Sequence, residues 1–395
     1  MRIALLADTY PPLRTSGAVQ LRDLSQEFVR QGHDVTVMVS APEQREPWRL
    51  EELNGVHVLR LAAPHTKDIG YVRRTIGEFL LPFAMLRHLR QSPLGIVQWD
   101  GVVWYSPTIF LGPMAKALKR TSGCKGYLIL RDIFPEWAVD MGLLQRGLPY
   151  RFFKRIEQFQ YSVADTIGVQ TPANLAYLSA WADNPGRRLE VLQNWLADEP
   201  KVGSSLTVAD GPLAGRTIFV YAGNMGVAQG MDILLDLADR LRERSDLGFL
   251  FVGRGSDASR LQASAVARRL DNVVFHEELE PWEIPGLFAQ CHIGLVALDP
   301  RHKTHNIPGK FLTYMQAGLP VLARINPGND LADLIDREGV GRVCTDDSVI
   351  TLQRLALELV EDQASPETTA VRCRDLFAKL FSPVTAVQQI VAALA

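Results

Sequence analysis

Short continuous apolar runs alternate in the first half of the chain with segments whose apolar residues recur at helical spacing, such as Leu21, Leu24 and Phe28. Continuous runs, as opposed to alternating ones, are typical of strands covered on both faces, so the pattern predicts a parallel sheet with helices on both sides. The predicted strands of this half are Arg2–Ala7, Val35–Val39, Val56–Ala62, Gly95–Gln98, Tyr127–Leu130 and Thr166–Val169.

This alternation of strand and helix patterns ends at residues 198–215, which are rich in Gly, Pro, Ser and Asp and are the best candidate for a linker. It then restarts, which predicts a second α/β domain over 216–375 after a first one over 1–197. The predicted strands here are Thr217–Ala222, Leu247–Val252, Asn272–His276, Ile293–Ala297, Pro320–Ala323 and Gly341–Cys344. Ligands of open α/β sheets bind outside the carboxyl ends of the strands, so we expect two doubly wound, Rossmann-like domains facing a cleft.

Composition narrows the functional classes. The 395 residues carry 42 Lys and Arg against 44 Asp and Glu, and 47% are hydrophobic. This near-neutral balance supports a packed core and argues against a dedicated nucleic-acid binder. The four cysteines are far apart and indicate neither a zinc site nor a disulfide framework. The apolar run from Ile3 to Ala7 is shorter than a signal-peptide core, so we expect a cytoplasmic setting.

Three glycines, Gly223, Gly226 and Gly230, separate the strand Thr217–Ala222 from the helix predicted to begin at Met231. Glycines let the backbone approach a ligand, and backbone N–H groups beside a helix N-terminus bind anions. The spacing matches neither the dinucleotide-binding G-x-G-x-x-G pattern nor a Walker loop. A tight βα turn without a ligand is an equally good interpretation of this motif alone.

Two basic residues of the second half are candidates for binding phosphates. Arg254 lies between two glycines directly after the strand Leu247–Val252, and its forked guanidinium suits a pair of phosphates, although a solvated turn arginine is as good an interpretation. Lys310 opens the helix predicted over Lys310–Gln316, where the helix dipole disfavours a cation. A shared anion explains a lysine at that position better than solvation does.

Polar residues of the first half lie where strands are predicted to end. Ser16 and Gly17 close the first βα loop, at the end of a strand, where a bound phosphate would be faced. Asp132 and Glu136 follow Tyr127–Leu130 and are candidates for orienting or deprotonating a substrate hydroxyl. Helix capping is the alternative for both, and the more favoured one for Glu136. Asp100, which follows the predicted strand Gly95–Gln98, has the same two interpretations.

The segment Tyr71–Gln91 combines arginines with large apolar residues, which is typical of a helix lying on a membrane surface. Pro82 predicts a kink or a break into two helices. A core-facing helix with solvated arginines is an equally good interpretation. The residues expected to face the membrane are Arg73, Arg74, Phe79, Phe83, Arg87 and Arg90.

Taken together, these motifs resemble family-4 glycosyltransferases of the GT-B fold, over nearly the whole chain and in the expected order. The segments that carry the resemblance are AGNMGVAQGMDILL, FVGRGSDASRL, IPGKFLTYMQAGLPVLA, RDIFPEWAVDMGLL and VLQNWLAD. A narrower resemblance is to WbuB-like bacterial enzymes that transfer N-acetyl-L-fucosamine. The resemblance to family-4 glycosyltransferases also implies that the C-terminal stretch Leu376–Ala395 packs back on the first domain.

The sequence departs from the family pattern at its donor site. The two glutamates that usually precede the Ala-Gly-x-Pro segment are replaced by His305 and Thr313, and the usual arginine after the first glycine by Asn224-Met225. The resemblance places Asn224, His305, Asn306 and Thr313 at the donor nucleotide and sugar. Thr313 would accept a weaker hydrogen bond from the ribose than glutamate does.

The resemblance implies retaining transfer of a sugar from a UDP-sugar to a lipid-linked acceptor of a surface polysaccharide such as O-antigen or capsule. It implies no metal, with Lys310, Arg254 and the Gly223–Gly226 amides stabilising the leaving diphosphate and Asp132 acting on the acceptor. Expected partners are the UDP-sugar, the polyprenyl-diphosphate-linked acceptor and the inner membrane surface, with no nucleic acid. The alternatives are a hexosamine transferase of the same fold with another donor or a soluble acceptor, and a catalytically silent nucleotide-sugar-binding protein.

Overall fold

The computed structural model describes residues 1–13, 15–67, 69–198, 203–299, 307–362 and 366–395. These residues form two compact units. The first comprises Met1–Trp195 with Pro383–Ala395, and the second comprises Leu196–Ser382.

The first unit is built on an eight-stranded sheet with the order β3-β4-β2-β1-β5-β6-β7-β8. Every neighbouring pair is parallel except β3 and β4. Its strands are β1 Arg2–Ala7, β2 Asp34–Ala41, β3 Trp48–Leu53, β4 Val56–Ala62, β5 Gly101–Ser106, β6 Lys125–Leu130, β7 Thr166–Val169 and β8 Arg188–Val191.

Helices cover both faces of this sheet because successive strand residues point to opposite sides and both sides are apolar. Ile3 and Leu5 belong to one core, and Ala4 and Leu6 to the other. The helices that follow the strands are α1 Ser16–Arg30, α2 Tyr71–Gln91, α3 Gly112–Ser122, α4 Glu136–Asp140, α5 Leu148–Val163 and α6 Ser179–Ala182.

The second unit is built on a six-stranded, wholly parallel sheet with the order β11-β10-β9-β12-β13-β14. Its strands are β9 Thr217–Ala222, β10 Leu247–Val252, β11 Val273–His276, β12 Ile293–Ala297, β13 Val321–Arg324 and β14 Gly341–Cys344. Its helices are α7 Asp232–Arg240, α8 Ala258–Ala267, α9 Ile284–Phe288, α10 Gly309–Ala317, α11 Asp330–Glu338, α12 Val349–Asp362 and α13 Pro366–Leu376.

The last helix, α14 Pro383–Leu394, belongs to the first unit, where Val387 and Ile390 are fully buried beside α1. The preceding Leu376–Ser382 belongs to the second unit, with Phe381 in its core. The resemblance implied that all of Leu376–Ala395 packs on the first domain, so the structure limits that packing to the part from Pro383 onward.

The boundary between the units lies at Trp195 and Leu196, ahead of the linker expected over 198–215. Residues 203–215 pack on the second unit instead. The Ser205 amide donates to Glu283, the Val208 amide donates to Gln290, and Leu213 is buried in the core. A Pro- and Gly-rich composition therefore marks an irregular but packed segment here.

Three features of the first unit differ from the sequence prediction. Residues 95–98 form no strand, and the strand begins instead at Gly101, where an uninterrupted buried run starts. The edge strands β3 and β8 were not predicted because few of their residues are fully buried. Pro82 does not break the predicted segment, since α2 runs from Tyr71 to Gln91 as one helix.

One helical stretch of the described chain, Glu367–Leu394, is long and apolar enough to cross a membrane by length and composition alone. Its α-helical parts are separated at Ser382, and its side chains Cys373, Phe381 and Val387 are fully buried in the cores of the two units. We therefore interpret the stretch as core helices.

Candidate active site

Lys310 is the most distinctive side chain at the carboxyl end of the second sheet. It lies in the first turn of α10, and its Nζ donates a 2.8 Å hydrogen bond to the Tyr221 hydroxyl and lies 4.2 Å from the centroid of that ring. Within the described part of the chain, no carboxylate forms an ion pair with it. Burial lowers the pKa of Lys310 to about 8, because the charged form is poorly solvated there. A bound anion would supply the missing counter-charge.

The loops that follow β9 and β10 pack directly against each other beside this lysine. A side chain at Gly253 (φ +139°) would place its Cβ 2.1 Å from the Gly223 carbonyl oxygen, and one at Gly255 (φ +155°) would place it 2.3 Å from that of Met225. Gly223 itself has a φ of +135°, and a Cβ there would lie 3.8 Å from Lys310 Cε. Only glycine fits this arrangement without displacing the backbone.

Three amides of the first glycine loop donate hydrogen bonds within the protein, and the expectation that this loop binds the diphosphate through its backbone stays a prediction. The Gly223 amide donates to the Val252 carbonyl over 2.9 Å, and the Met225 amide donates to the Arg254 carbonyl over 2.8 Å. The Gly226 amide donates to Gln229 Oε1 over 3.0 Å. Gly253 and Gly255 therefore allow the two loops to pack closely, and Lys310 is the cation beside them.

Arg254 lies in the second glycine loop, directly after β10, and projects into solvent. Its side chain is 81% exposed, and its Nε forms a 2.8 Å ion pair with Glu278. An exposed pair of this kind contributes little electrostatic stabilisation because water screens it. In this structure Arg254 is thus a solvated turn arginine, and its expected contact with the leaving diphosphate stays a prediction.

The structure describes only some of the residues that the resemblance assigns to the donor sugar and ribose. His305 and Asn306 lie outside the described residues. Thr313 lies one turn after Lys310 in α10, and its hydroxyl donates a 2.8 Å hydrogen bond to the Lys310 carbonyl. The side-chain amide of Asn224 donates to Gln229 over 3.2 Å, so Asn224 joins the same loop network as Gly226.

In the first unit, the N-terminus of α1 lies at the carboxyl end of β1. Thr15 caps this helix by accepting a hydrogen bond from the Ala18 amide, and Ser16 is exposed beside it. Gly17 packs closely, because a Cβ there would lie 3.3 Å from both Thr9 and Tyr105. The positions predicted to face donor phosphates are thus an exposed hydroxyl and a closely packed backbone at a helix N-terminus.

Asp132 directly follows Arg131 at the carboxyl end of β6. Burial raises the pKa of Asp132, and the adjacent Arg131 guanidinium opposes that rise. Arg131 is itself buried, donates to the carbonyls of Leu192 and Gln193, and stacks 4.7 Å from the Trp195 ring centroid. A carboxylate of raised pKa on a rigid support suits a group that accepts a proton from a hydroxyl.

Glu136 is occupied by an ion pair instead of being available to a substrate. Its carboxylate lies 2.7 Å from Lys154 Nζ and accepts a 3.0 Å hydrogen bond from the Tyr150 hydroxyl, which links α4 to α5. Burial pushes the pKa of Glu136 upward, but the hydrogen bonds from Lys154 and Tyr150 outweigh it and hold the pKa below its ordinary value. Glu136 lies in the first turn of α4, where the alternative interpretation placed it, and it also joins α4 to α5.

Asp100 lies at the opposite end of the sheet from Asp132. It precedes β5, its carboxylate accepts a 2.6 Å hydrogen bond from the Arg2 amide, and its own amide donates to the Arg2 carbonyl. The prediction that Asp100 belongs to the acceptor side is wrong because the strand begins after this residue, not before it. Its carboxylate anchors the amino end of β1.

Sequence reasoning missed Asp8 and Tyr105, which lie at the carboxyl ends of β1 and β5. The Tyr105 hydroxyl donates to Gln20 over 2.9 Å, and burial raises its pKa to about 12. Burial also raises the pKa of Asp8, against the charge of Lys67, whose Nζ lies 3.9 Å away. Asp8 directly follows the predicted strand Arg2–Ala7, and this position could have identified it from the sequence as a polar residue at the carboxyl end of the sheet.

The helix α2 presents one buried and one exposed apolar face. Leu81, Pro82 and Met85 are buried against the sheet, whereas Phe79 and Phe83 are about half exposed. Arg73, Arg87 and Arg90 are exposed, as predicted. Arg74 differs from them because its Nε lies 2.9 Å from Glu78, whose side chain is mostly buried.

Within the described residues, no group of three or more His, Cys, Asp or Glu side chains is arranged to hold a metal ion.

Two family profiles match the chain in the same order as its two units. Residues 16–195 match the glycosyl transferase 4-like domain, and residues 216–362 match glycosyl transferases group 1. Among curated proteins, WbjE of Pseudomonas aeruginosa, named as a glycosyltransferase, is 28% identical over 62% of this chain and 62% of its own length. WcaI of Escherichia coli K12, named for colanic acid biosynthesis, is 24% identical over 74% of this chain and 76% of its own. The chain thus spans under two thirds of WbjE.

Among solved structures, HepE of Anabaena in complex with UDP superposes with a TM-score of 0.69 at 16% identity. The superposition covers 100% of this chain and 99% of HepE. At this identity the likeness establishes the fold, which is GT-B with two Rossmann-like sheets. The two profiles, which match residues 16–195 and 216–362, and the fold together identify the chain as a member of the group 1, or family-4, glycosyltransferases.

Proposed function

We propose that this protein transfers a sugar, N-acetyl-L-fucosamine as the first candidate, from a UDP-sugar to a polyprenyl-diphosphate-linked sugar during synthesis of a bacterial surface polysaccharide. The observation that carries the proposal is Lys310, a buried ammonium beside the glycine loops whose described partners are the hydroxyl and ring of Tyr221. HepE, which shares the fold, is described with UDP, and WcaI is named for synthesis of a surface polysaccharide.

In the proposed reaction, the bond between the anomeric carbon and the UDP oxygen breaks, and the acceptor oxygen bonds to that carbon on the same face. Negative charge grows on the departing diphosphate, and Lys310 offsets it in a site of low polarity, where such an interaction is strong. The acceptor hydroxyl loses its proton, which a donor phosphate oxygen takes up. The sequence resemblance supports this assignment, in which no protein nucleophile acts.

Asp132 orients the acceptor hydroxyl in this proposal. Its raised pKa follows from burial, so its carboxylate accepts a hydrogen bond more strongly than an exposed one does. Ser16 and Gly17, at the N-terminus of α1, are the candidates of the first unit for binding a phosphate.

The proposal includes a peripheral position on the inner face of the plasma membrane. The exposed side chains Tyr71, Val72 and Ile76 add to the apolar face of α2, and Arg73, Arg87 and Arg90 provide positive charge for anionic lipids. Arg74 is left out, because its pair with Glu78 holds it to the protein.

A donor and acceptor panel tests the reaction. The protein is incubated with a series of UDP-sugars and washed bacterial membranes, while released UDP and lipid-linked product are measured. We expect turnover with one UDP-sugar that disappears when lipid is removed. UDP binding without turnover on any donor would favour a silent binder, and turnover that survives removal of lipid would refute the lipid-linked acceptor.

Vesicle binding tests the membrane position separately. Changing Arg73, Arg87 and Arg90 to Glu should abolish sedimentation with anionic vesicles and leave UDP affinity unchanged. A control with the same change of charge replaces Arg45, Arg120 and Arg188, three exposed arginines of the same unit outside α2, with Glu. Equal loss in both variants would mean that binding follows total charge and not this helix.

A further inference from the structure

A groove of about 470 Å³ opens on the surface of the first unit, between α2, the start of α3, and α5. It is lined by aromatic, aliphatic and proline side chains and by two arginines, Arg151 and Arg155. The volume falls within the range of small-molecule sites. The aromatic and aliphatic residues that matter here are Phe79, Phe83, Phe110, Phe152, Ile156 and Phe159.

The wall of the groove is a connected set of rings that remains partly exposed. The Phe79 ring lies 5.9 Å from that of Phe83 and 6.4 Å from that of Phe152, measured between centroids. All three rings are about half exposed, which is unusual for a cluster of large apolar side chains unless something covers it. The interior offers hydrocarbon contact and no row of backbone groups to pair with a peptide, so it suits a hydrocarbon chain.

Cationic side chains surround the groove and favour a hydrocarbon ligand that carries negative charge. Arg151 and Arg155 are exposed, and neither forms an ion pair within the part of the chain that the structure describes. Lys116 adds a third cation, with its Nζ 5.4 Å from the centroid of the Phe159 ring. Guanidinium groups beside an apolar groove match a ligand that joins a chain to a multiply charged diphosphate.

We propose that this groove binds the isoprenoid chain of the acceptor carrier, with its diphosphate held by Arg151 and Arg155. The inference rests on the proposed lipid-linked acceptor and goes beyond it. In this arrangement the exposed face of α2 contacts the bilayer, and the groove holds one isoprenoid chain that has left the bilayer. The protein would then recognise the lipid as well as the sugar attached to it.

Two variants of similar exposure on α2 separate the groove from the bilayer-facing surface. Phe83 lines the groove and is 50% exposed, whereas Leu80 is 47% exposed and does not line it. The probe is farnesyl diphosphate, a water-soluble short carrier, with affinity measured by calorimetry. Phe83→Glu should weaken binding at least tenfold, and Leu80→Glu should leave it within twofold, roughly as an unpaired charge in an apolar site predicts.

The charge requirement is tested with a second pair of variants. Changing Arg151 and Arg155 to Gln should remove the preference for farnesyl diphosphate over farnesol, whereas changing Arg45 and Arg120 to Gln should preserve it. Thermal melting of every variant checks that the fold is retained. Because the probe carries no sugar, failure of glycosyl transfer with intact probe binding would overturn the proposed function and leave the groove assignment standing.

Three results would overturn the groove assignment. The first is absence of saturable binding of farnesyl diphosphate to the wild-type chain. The second is equal weakening by Phe83→Glu and Leu80→Glu, which would make the groove part of a general bilayer contact. The third is concentration-dependent dimerisation that Phe83→Glu abolishes without any probe binding, which would assign the groove to a second copy of the chain.

Discussion

The carboxyl ends of the two sheets are built by different means. In the second unit, two glycine loops pack backbone against backbone beside Lys310, whose ammonium contacts the Tyr221 hydroxyl. In the first unit, titratable side chains such as Asp8 and Asp132 follow the strands, and their pKa values are raised by burial. The first arrangement is fixed by close backbone packing and would suit the phosphates that the proposed donors share, whereas the second depends on side chains that can differ with the acceptor. The predictions below test this contrast.

Removing the cation of the second unit should have the largest effect on activity. Lys310→Ala should lower kcat about a hundredfold, because a charge-assisted contact made with the leaving diphosphate is worth roughly 3 kcal/mol. Steady-state kinetics with the accepted UDP-sugar measures the loss, and Lys310→Arg should recover part of it. An unchanged kcat in Lys310→Ala would remove the basis for assigning the donor site to α10.

Filling the space between the glycine loops should destabilise the second unit. Gly253→Ala places a Cβ against the Gly223 carbonyl and forces an alanine to a φ of +139°, at a cost of roughly 2–3 kcal/mol. Gly309→Ala is the matched control, since nothing lies within 4 Å of its Cβ. Denaturant unfolding measures both variants. Equal stability of the two would show that the loops have room to separate.

The affinity for UDP should depend on pH through Lys310. Burial lowers its pKa to about 8, so above that pH the free protein loses a proton that must be regained when the diphosphate binds. Affinity should therefore be highest below pH 8 and fall by up to about tenfold per pH unit above it. Lys310→Arg, which keeps its charge, should flatten the profile. Calorimetry in two buffers of different ionisation enthalpy would also detect the proton taken up.

In the first unit, Asp132→Asn should lower kcat about tenfold with little change in the KM for the donor, because an amide accepts a weaker hydrogen bond from the acceptor hydroxyl. Asp100→Asn is the control at the opposite end of the sheet, and it should leave kcat within about twofold. A larger loss in Asp100→Asn than in Asp132→Asn would contradict the placement of the acceptor at the carboxyl end.

The smallest effect is expected at the rim of the second unit. Arg254→Ala should change kcat by no more than about threefold, since this exposed guanidinium already pairs with Glu278. The same assay as for Lys310 measures it. A loss of a hundredfold would mean that Arg254 leaves Glu278 when the donor binds and shares the leaving-group charge with Lys310.

The sequence by itself determined the two α/β units, most strand positions and the placement of Lys310, because buried parallel strands and glycine loops leave local patterns of residue types. It also located α2 over Tyr71–Gln91 to the residue. Edge strands such as β3 were not predicted, since a strand packed on one side carries no continuous apolar run.

Only the tertiary structure decided which polar groups are available. Glu136 and Asp132 look alike in sequence, yet Lys154 and Tyr150 occupy the first, and burial beside Arg131 raises the pKa of the second. Two amides of the first glycine loop, those of Gly223 and Met225, likewise donate to carbonyls of a distant segment, at Val252 and Arg254. Hydrogen bonds and ion pairs between distant segments have no local signature, so free and occupied groups become distinguishable only once the chain is folded.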